Sequence, residues 1–175
     1  MTVDPSTLRI VHYPAPILRK RAEEIRGITS ETRAVAARML DLMHDAPGVG
    51  LAAPQVGLPW RMFVANPTAD PLDDQIFINP VLVNPSRELA DQEEGCLSIP
   101  DVRGVIRRPV AITVRALDLD GRAFEATSEA LPARIWQHEM DHLDGVLIIQ
   151  RMTAIERMAN RRVIRGLEAA DEERA

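Results

Sequence analysis

The sequence predicts a single compact α+β domain, in which antiparallel or mixed sheets pack around a central helix that carries a metal-binding motif. Three observations predict it. The 175 residues are enough for one hydrophobic core, and 46% hydrophobic with 27% charged residues is ordinary globular usage. Segments with strand patterns and segments with helix patterns are segregated along the chain. No change of composition marks a domain boundary, so residues 1–175 are expected to form one domain.

The first part of the chain is predicted to hold one helix and two strands. Residues 1–7 are expected to be a loose lead-in. Ser30 is predicted to cap a helix that runs to about residue 45, and its apolar stripe indicates core packing. Residues 61–65 and 75–83 are predicted strands, separated by a loop rich in Pro and Asp.

A hairpin and the central helix follow. Residues 110–117 alternate between apolar and polar side chains and meet an Asp-Leu-Asp-Gly turn, and residues 122–126 are the predicted return strand. The central helix is expected to begin near Ser128, with Pro132 in or near its first turn. Asp144-Gly145 is a typical helix-stop pair and predicts its end.

The C-terminal region, residues 151–175, is predicted to be a helix and a tail. Residues 146–149 before it are expected to form a short strand. Thr153 opens a capping box, which predicts the start of the last helix. The residues expected to pack this helix against the domain are Ile155, Met158, Ala159 and Leu167.

The central helix carries the motif His138-Glu139-Met140-Asp141-His142. Histidines four residues apart lie on one face of a helix, with Cβ atoms roughly 5–6 Å apart. Two imidazoles in this arrangement bind one metal ion, and the intervening Glu reaches a water molecule on it. The pattern is typical of metal-dependent hydrolases. A catalytic site of this kind usually has three protein ligands and a fourth position for water, so a third ligand is required.

The third ligand is sought among few residues. The two other histidines, His12 and His44, lie upstream and are interpreted as loop and helix-surface residues. Cys96 is one candidate, because a thiolate with two imidazoles is a known zinc ligand set and also suits iron. A downstream carboxylate, Glu156 or Glu168, is the other. The motif alone leaves both open.

Three sequence blocks together resemble those of the peptide deformylase family. They are Gly-Val-Gly-Leu-Ala-Ala-Pro-Gln at 48–55, Glu-Gly-Cys-Leu-Ser at 94–98 and Gln-His-Glu-Met-Asp-His at 137–142. The resemblance covers about residues 8–149. It implies a hydrolase that removes the formyl group from the N-terminal formyl-methionine of newly made peptides and releases formate.

The resemblance also implies roles for individual residues. Cys96, His138 and His142 would be the metal ligands, with Fe²⁺ as the physiological ion and Zn²⁺, Ni²⁺ or Co²⁺ as replacements in preparations. A metal ion lowers the pKa of its water toward 7, and Glu139 would take the proton from that water and later protonate the leaving amine. The residues expected to stabilise the oxyanion are Gln55, through its side-chain amide, and Leu97, through its backbone N–H.

Substrate binding is assigned by the same resemblance. The residues expected to contact the extended peptide or the methionine side chain are Val49, Gly50, Gly95, Arg103, Leu131 and Ile135. Arg134 departs from the family, which often has an apolar residue there, and this departure bears on the rim of the pocket. Arg108 is the expected partner of Glu94. Asp141 is interpreted either as a support for a metal ligand or as a surface charge.

Composition limits the compartment and the partners. A net charge of −5 and a pI near 5.4 argue against a specific nucleic-acid partner. A single cysteine excludes an intrachain disulfide, and no signal peptide or membrane span is evident. We therefore expect a cytoplasmic protein without a membrane partner. The sequence does not indicate an oligomeric state, and a monomer is taken as the default. Arginines cluster on the predicted last helix, and the two interpretations are a solvated face or a surface that docks on the ribosome. They are Arg157, Arg161, Arg162 and Arg165.

Two other functions are weighed against the deformylase. A metalloprotease would use His138, His142 and the downstream carboxylate, so Cys96→Ser would have little effect on it. A structural zinc site in a binding module would require a fourth protein ligand, and Glu139→Ala would leave its function intact.

Overall fold

The computed structural model describes residues 2–172. Within them the chain forms seven strands and five helices, together with short 3₁₀ turns. The strands are β1 (Gly50–Ala52), β2 (Met62–Ala65), β3 (Gln75–Val83), β4 (Leu89–Cys96), β5 (Ile99–Pro109), β6 (Ala111–Leu117) and β7 (Ala123–Glu129). The helices are α1 (Ser30–Asp45), α2 (Ala130–Leu143), α3 (Ile148–Arg151), α4 (Ala154–Ala159) and α5 (Arg161–Glu172).

The strands form two sheets, and every pairing between the named strands is antiparallel. Five strands lie in the order β1-β2-β3-β6-β7, and β4 and β5 form a separate two-stranded hairpin. The helix α2 packs against the five-stranded sheet, since its buried side chains share one core cluster with Phe63, Phe77 and Val114. The predicted α+β fold class, with a central helix between sheets, is confirmed.

Two further core clusters complete the domain. The helix α1 covers the five-stranded sheet with its buried face, in a cluster that includes Val35, Met39 and Met62. The third cluster joins the N-terminal segment, β5 and the C-terminal helices, and Leu18, Ile99 and other side chains meet there. The two sheets are therefore joined through helices rather than through shared hydrogen bonds.

The hairpin β4–β5 was not predicted. Its inward positions alternate along β5 as Val102, Gly104, Ile106 and Arg108, while their neighbours are exposed. A glycine and an arginine at inward positions hide the apolar alternation that identifies a strand. On β4, Glu94 is the buried residue, so that strand has no apolar face to detect.

Several local predictions are wrong at their boundaries or in type. Thr29, rather than Ser30, caps α1, because its side chain accepts a hydrogen bond from the backbone N–H of Thr32. Residues 146–149 do not form a strand, since residues from Ile148 onward begin the helical turn α3. The lead-in contains a 3₁₀ turn over Pro5–Thr7, which Asp4 caps.

The C-terminal region is helical, but it is not one helix. Thr153 caps α4 as predicted, and the helix ends at Ala159, with Asn160 between it and α5. Ile155 and Met158 do not pack against the domain, because they are 76% and 69% exposed, and Ala159 is exposed as well. Leu167 on α5 does pack against the third cluster. Residues 1 and 173–175, which include the end of the predicted tail, lie outside the described part of the chain.

Nothing in the described helices resembles a transmembrane segment, since none of them combines the necessary length and apolar character.

Candidate metal centre and active site

Two elements supply the candidate metal ligands. The helix α2 begins after Glu129, carries Pro132 in its first turn and presents His138 and His142 one turn apart on the same face. Its end at Asp144 is followed by Gly145 in left-handed conformation, with φ +73°. Cys96 is the last residue of β4, so the β4–β5 hairpin places its sulfur beside α2.

The three ligand atoms converge. Cys96 Sγ lies 3.2 Å from His142 Nε2, which in turn lies 3.2 Å from His138 Nε2. All three atoms lie within 4.8 Å of one another, and no other group of this kind occurs in residues 2–172. Ligand atoms on one tetrahedral ion are separated by about 3.3–3.6 Å, as follows from metal–ligand distances of about 2.0–2.3 Å. The residues therefore fit a single ion, and one sulfur with two imidazoles suits Fe²⁺, Zn²⁺, Ni²⁺ or Co²⁺.

Glu94 fixes the orientation of His138. One carboxylate oxygen, Oε2, lies 3.0 Å from His138 Nδ1. Arg108 donates two hydrogen bonds to the same carboxylate, at 2.7 Å and 2.9 Å, which confirms the predicted pair. Burial alone would raise the pKa of Glu94, but the hydrogen bonds with His138 and Arg108 hold it well below its usual range. An ionised acceptor at Nδ1 keeps the proton there and leaves Nε2 free to face a metal ion.

Asp141 belongs to the same buried network. It accepts a hydrogen bond of 2.8 Å from Arg108 Nη1, and Arg151 contacts both of its oxygens. Of the two interpretations, the structure supports the one in which Asp141 supports a ligand, because Arg108 links it to Glu94 and so to His138.

The two imidazoles differ in basicity. Burial would lower the pKa of His138, but hydrogen bonds with Cys96 and Glu94 raise it to about 10. Burial and the charge of His138 lower the pKa of His142 well below its usual value. A metal ion competes with the proton on His138, since imidazole binds metals in its neutral form.

Glu139 is buried beside the ligands. Its side chain is without a hydrogen-bond partner at Oε2 among the described residues, and burial raises its pKa to about 7. A carboxylate with a pKa near neutrality exchanges protons readily at physiological pH. Gly50 packs directly on it, because a Cβ atom at Gly50 would lie 2.4 Å from Glu139 Oε1.

Gln55 is fixed with its amide group toward the same centre. Its Oε1 accepts a hydrogen bond of 2.8 Å from the backbone N–H of Ala52. Its Nε2 therefore points the other way, 3.5 Å from Cys96 Sγ and 3.3 Å from Ser98 Oγ. Ser98, which is fully buried, was not singled out by the sequence, and its role is to hold this amide.

A cavity of about 390 Å³ opens onto these groups. Val49 and Leu131 are 44% and 46% exposed and lie at its mouth, whereas Ile135 is buried inside. Arg103 lies in its wall, 3.5 Å from Glu93. The structure thus brings together around one cavity all the predicted catalytic and substrate-binding residues, with two of the three ligands. These are Val49, Gly50, Gln55, Gly95, Cys96, Leu97, Arg103, Leu131, Ile135, His138 and Glu139.

The downstream carboxylates lie elsewhere. Glu156 accepts a hydrogen bond from the backbone N–H of Val105, and Glu168 accepts one from the hydroxyl of Tyr13. Neither belongs to the ligand cluster, so the structure does not support the metalloprotease interpretation. A fourth protein ligand is also absent among residues 2–172, which argues against a closed structural zinc site.

Arg134 occupies a different environment from the one expected. Its guanidinium is buried and donates hydrogen bonds to Glu94 Oε1 at 2.6 Å, to the carbonyl of Ile106 at 3.0 Å and to that of Ala90 at 2.8 Å. It therefore belongs to the network behind His138 as well as to the cavity wall. Its position four residues before His138 was the available signal, because such residues share a helix face.

Comparisons with known proteins agree with this geometry. The sequence pattern of the family described as polypeptide deformylase matches residues 7–158. A peptide deformylase of Acidobacterium capsulatum is 43% identical over 166 residues, which cover 93% of this chain and 96% of that protein. One of Rhizobium meliloti is 42% identical over 159 residues, which cover 90% of this chain and 89% of that protein.

Solved structures show the same fold. A crystal structure of a plant peptide deformylase superimposes with a TM-score of 0.95 at 36% identity, covering 100% of this chain and 96% of that one. The enzyme of Plasmodium falciparum superimposes with a TM-score of 0.92 at 34% identity, covering 94% of this chain and 98% of that one.

Proposed function

Because the chain belongs to the peptide deformylase family, we propose that it uses one divalent metal ion to remove the formyl group from N-formylmethionyl nascent peptides. One observation carries the proposal. Cys96 Sγ, His138 Nε2 and His142 Nε2 converge within 4.8 Å beside the buried carboxylate of Glu139. In this arrangement a bound metal ion would supply Lewis acidity and activate a water molecule.

Glu139 moves the protons of the reaction. Water adds its oxygen to the formyl carbon, and the carboxylate of Glu139 accepts the proton that the water loses. When the C–N bond breaks, the same group returns a proton to the leaving nitrogen, so that formate and a free N-terminal amine are released. General acid–base catalysis of this kind contributes about 10²–10⁴-fold to the rate.

Gln55 and Leu97 stabilise the charge that develops on the formyl oxygen. The amide N–H₂ of Gln55 is held toward Cys96 by the hydrogen bond between Ala52 and Gln55 Oε1. The backbone N–H of Leu97 follows directly after the cysteine ligand. Loss of one such donor typically lowers the rate by about 10²–10³-fold.

The cavity would orient the peptide. We propose that Ile135, Leu131 and the small residues around Gly50 form an apolar pocket for the methionine side chain, and that Arg103 contacts the peptide at the open edge. Gly95 adjoins this edge, with Arg103 atoms 3.7–3.8 Å from the position of its missing Cβ. Small residues here let the peptide backbone approach the metal centre closely.

The proposal is tested by formate release from formyl-Met-Ala. The protein is purified without oxygen, because we propose Fe²⁺ as the ion in the cell. Its metal content is determined by elemental analysis alongside the activity assay. Cys96→Ser is expected to lose both metal and activity. Glu139→Ala is expected to keep its metal and to lose about 10²–10⁴-fold in kcat. Wild-type protein that binds metal but releases no formate would overturn the proposed reaction.

We further propose a cytoplasmic monomer that meets its substrates at the ribosome. Arg161, Arg162 and Arg165 are exposed on α5, whereas Arg157 donates a hydrogen bond to the carbonyl of Met152. Reversing the charge of the three exposed arginines is expected to reduce co-sedimentation with ribosomes while formate release is retained. Unchanged sedimentation would mean that this face is merely solvated.

A further inference from the structure

The candidate metal ligands come from two elements that share no backbone hydrogen bonds. His138 and His142 lie on α2, and Cys96 lies at the end of β4 in the separate hairpin. A shift of the helix along the hairpin would separate the sulfur from the two nitrogens. The geometry of the centre therefore depends on the side chains that connect the helix to the hairpin.

Arg134 makes that connection from the helix side. Within one guanidinium, Nη1 donates to Glu94 Oε1 and to the carbonyl of Ile106, and Nη2 donates to the carbonyl of Ala90. The contacts reach both strands of the hairpin. Arg134 also lies one helical turn before His138, so these bonds act on the part of α2 that carries the first histidine ligand.

Arg108 makes the reciprocal connection from the hairpin to the helix. It lies on β5 and donates to Glu94 and to Asp141 of α2. Glu94 is shared between the two arginines, because its Oε1 accepts from both Arg134 and Arg108. Its Oε2 is left to Arg108 Nη2 and to His138 Nδ1. The carboxylate is thus fixed from two sides, with one oxygen facing the ligand.

Each buried carboxylate of this cluster faces a buried guanidinium group. Glu94 and Asp141 are carboxylates, and Arg108 and Arg134 are the buried guanidinium groups that face them, with exposures of 5–7% in all four residues. Removing one guanidinium would leave a buried carboxylate short of a partner, which is costly. Glu94 would then gain freedom to turn away from His138.

We propose that Arg134 is a positioning residue for the metal centre, which braces α2 against the β4–β5 hairpin and holds Glu94 on His138. The inference rests on the metal-dependent function proposed above. Groups that orient a metal-ligating histidine typically change metal affinity by about 10–100-fold when they are removed.

The test uses Co²⁺ as the probe, with Arg134→Met, Arg134→Lys and the control Arg61→Met. Arg61 is a matched control because it is equally buried, at 8% against 7%, and bonds a carboxylate and a carbonyl, yet it contacts neither Glu94 nor His138. Affinity is measured by competition with a chelator. The visible spectrum of the bound Co²⁺ reports the sulfur ligand and the geometry.

Arg134→Met is expected to weaken Co²⁺ binding by at least about tenfold and to alter the spectrum. Arg134→Lys keeps the positive charge but not the planar set of donors, so a smaller loss of Co²⁺ affinity is expected. If the Met variant does not fold, the Lys variant provides the test. Arg61→Met is expected to melt at a lower temperature with Co²⁺ affinity within about twofold of wild type.

Activity at saturating metal separates positioning from substrate binding. With the site filled, KM of the Arg134→Lys variant for formyl-Met-Ala is expected to stay at the wild-type value. A raised KM would assign Arg134 to the substrate instead. Wild-type affinity and spectrum in both Arg134 variants, or an equal loss in Arg61→Met, would also overturn the inference. Failure of the wild-type protein to bind Co²⁺ would overturn the metal-dependent function itself.

Discussion

Glu139 owes its place to a glycine from another element. Gly50 begins β1, and a side chain there would meet Glu139 Oε1 at 2.4 Å, with the next two carbons of Glu139 at 2.9 Å and 3.0 Å. Glu139 is 3% exposed and lines the cavity, so a Cβ at position 50 would displace its carboxylate. The residue at position 50 is therefore constrained by the proton-transfer group rather than by its own backbone conformation.

Gly50→Ala is expected to lower kcat for formate release by about 10²-fold, because displacement of a catalytic group by about 1 Å has an effect of this size. Metal content should not change. Gly48→Ala is the matched control in the same sequence block, since its Cβ would meet the flexible end of Leu97 at 2.7 Å. Wild-type kcat in Gly50→Ala would show that Gly50 does not set the position of Glu139.

The contact between Tyr13 and Glu168 can be measured directly, because Tyr13 is the only tyrosine in the chain. Burial, together with the hydrogen bond and negative charge of Glu168, raises the pKa of its hydroxyl above the usual value near 10, against the opposing effect of Arg19. Titration of phenolate absorbance should therefore give a midpoint above pH 10. In Glu168→Gln the midpoint should fall toward the usual value.

The same shift has a consequence for stability. A pKa that is raised in the folded state means that folding favours the neutral phenol. The stabilisation of the fold by the Tyr13 hydroxyl is therefore fully present below about pH 10 and is lost as pH rises through the folded-state pKa. Tyr13→Phe should thus lower the melting temperature at pH 8, and the difference from wild type should shrink at higher pH. A constant difference would contradict the assignment.

At the scale of elements, the end of α2 is set by Gly145. Its φ of +73° is strained for other residues, and a Cβ there would lie 2.6 Å from the carbonyl oxygen of Arg19. The neighbouring backbone atoms cannot give way as a side chain can. The helix that carries both histidines therefore stops where the N-terminal segment crosses it.

Gly145→Ala is expected to destabilise the protein by at least about 2 kcal/mol, through backbone strain and the backbone clash. Gly166→Ala is the control, because nothing lies within 4 Å of that position in α5. There the change should stabilise the protein by about 0.5–1 kcal/mol, since alanine favours helices over glycine. Denaturant unfolding of both variants measures the difference.

The elements differ in how far their sequences reveal them. The strand β3 was predicted at its observed bounds, Gln75–Val83, and the metal-binding helix and its end follow from local signals. The hairpin β4–β5 was missed because Glu94, Gly104 and Arg108 occupy its inward positions. Glu94 and Arg108 are inward because they contact α2, and Gly104 because it faces Met152 and Glu156, and no local pattern contains that information.

In the candidate site, too, the sequence motifs were predicted and the contacts between distant residues were not. The residues of the three motif blocks meet as their spacing and family resemblance indicate, and the structure adds the layer behind them. Arg134 and Ser98 hold Glu94 and Gln55 through contacts between residues 40 and 43 positions apart. Such pairs are tertiary contacts, and a single sequence does not reveal them.

At the scale of the whole molecule, the C-terminal helices stabilise the domain without supplying ligands. Val163, Ile164 and Leu167 are partly buried against the third core cluster, and Asn160 bonds the carbonyl of Arg103. The ligands lie between Cys96 and His142, well before this region. Stability and metal binding should therefore respond differently to its removal.

A chain that ends at Met152 is expected to lose about 2–3 kcal/mol, as the partial burial of three aliphatic side chains suggests. For a protein of this size that corresponds to a melting temperature lower by roughly 5–10 °C. Co²⁺ binding should persist at temperatures where the shortened chain is folded. An unchanged melting temperature, or loss of binding by folded protein, would contradict this expectation.

The contact between Tyr13 and Glu168 joins residues 155 positions apart, and Leu18 shares its core cluster with side chains from α5. During synthesis the N-terminal segment emerges long before the residues that cover it. The third core cluster is completed only after α5 has left the exit tunnel, whereas the strands of the five-stranded sheet are available earlier. The N-terminal segment is therefore expected to become protected from proteases only once α5 has docked on it, which limited proteolysis during synthesis would show.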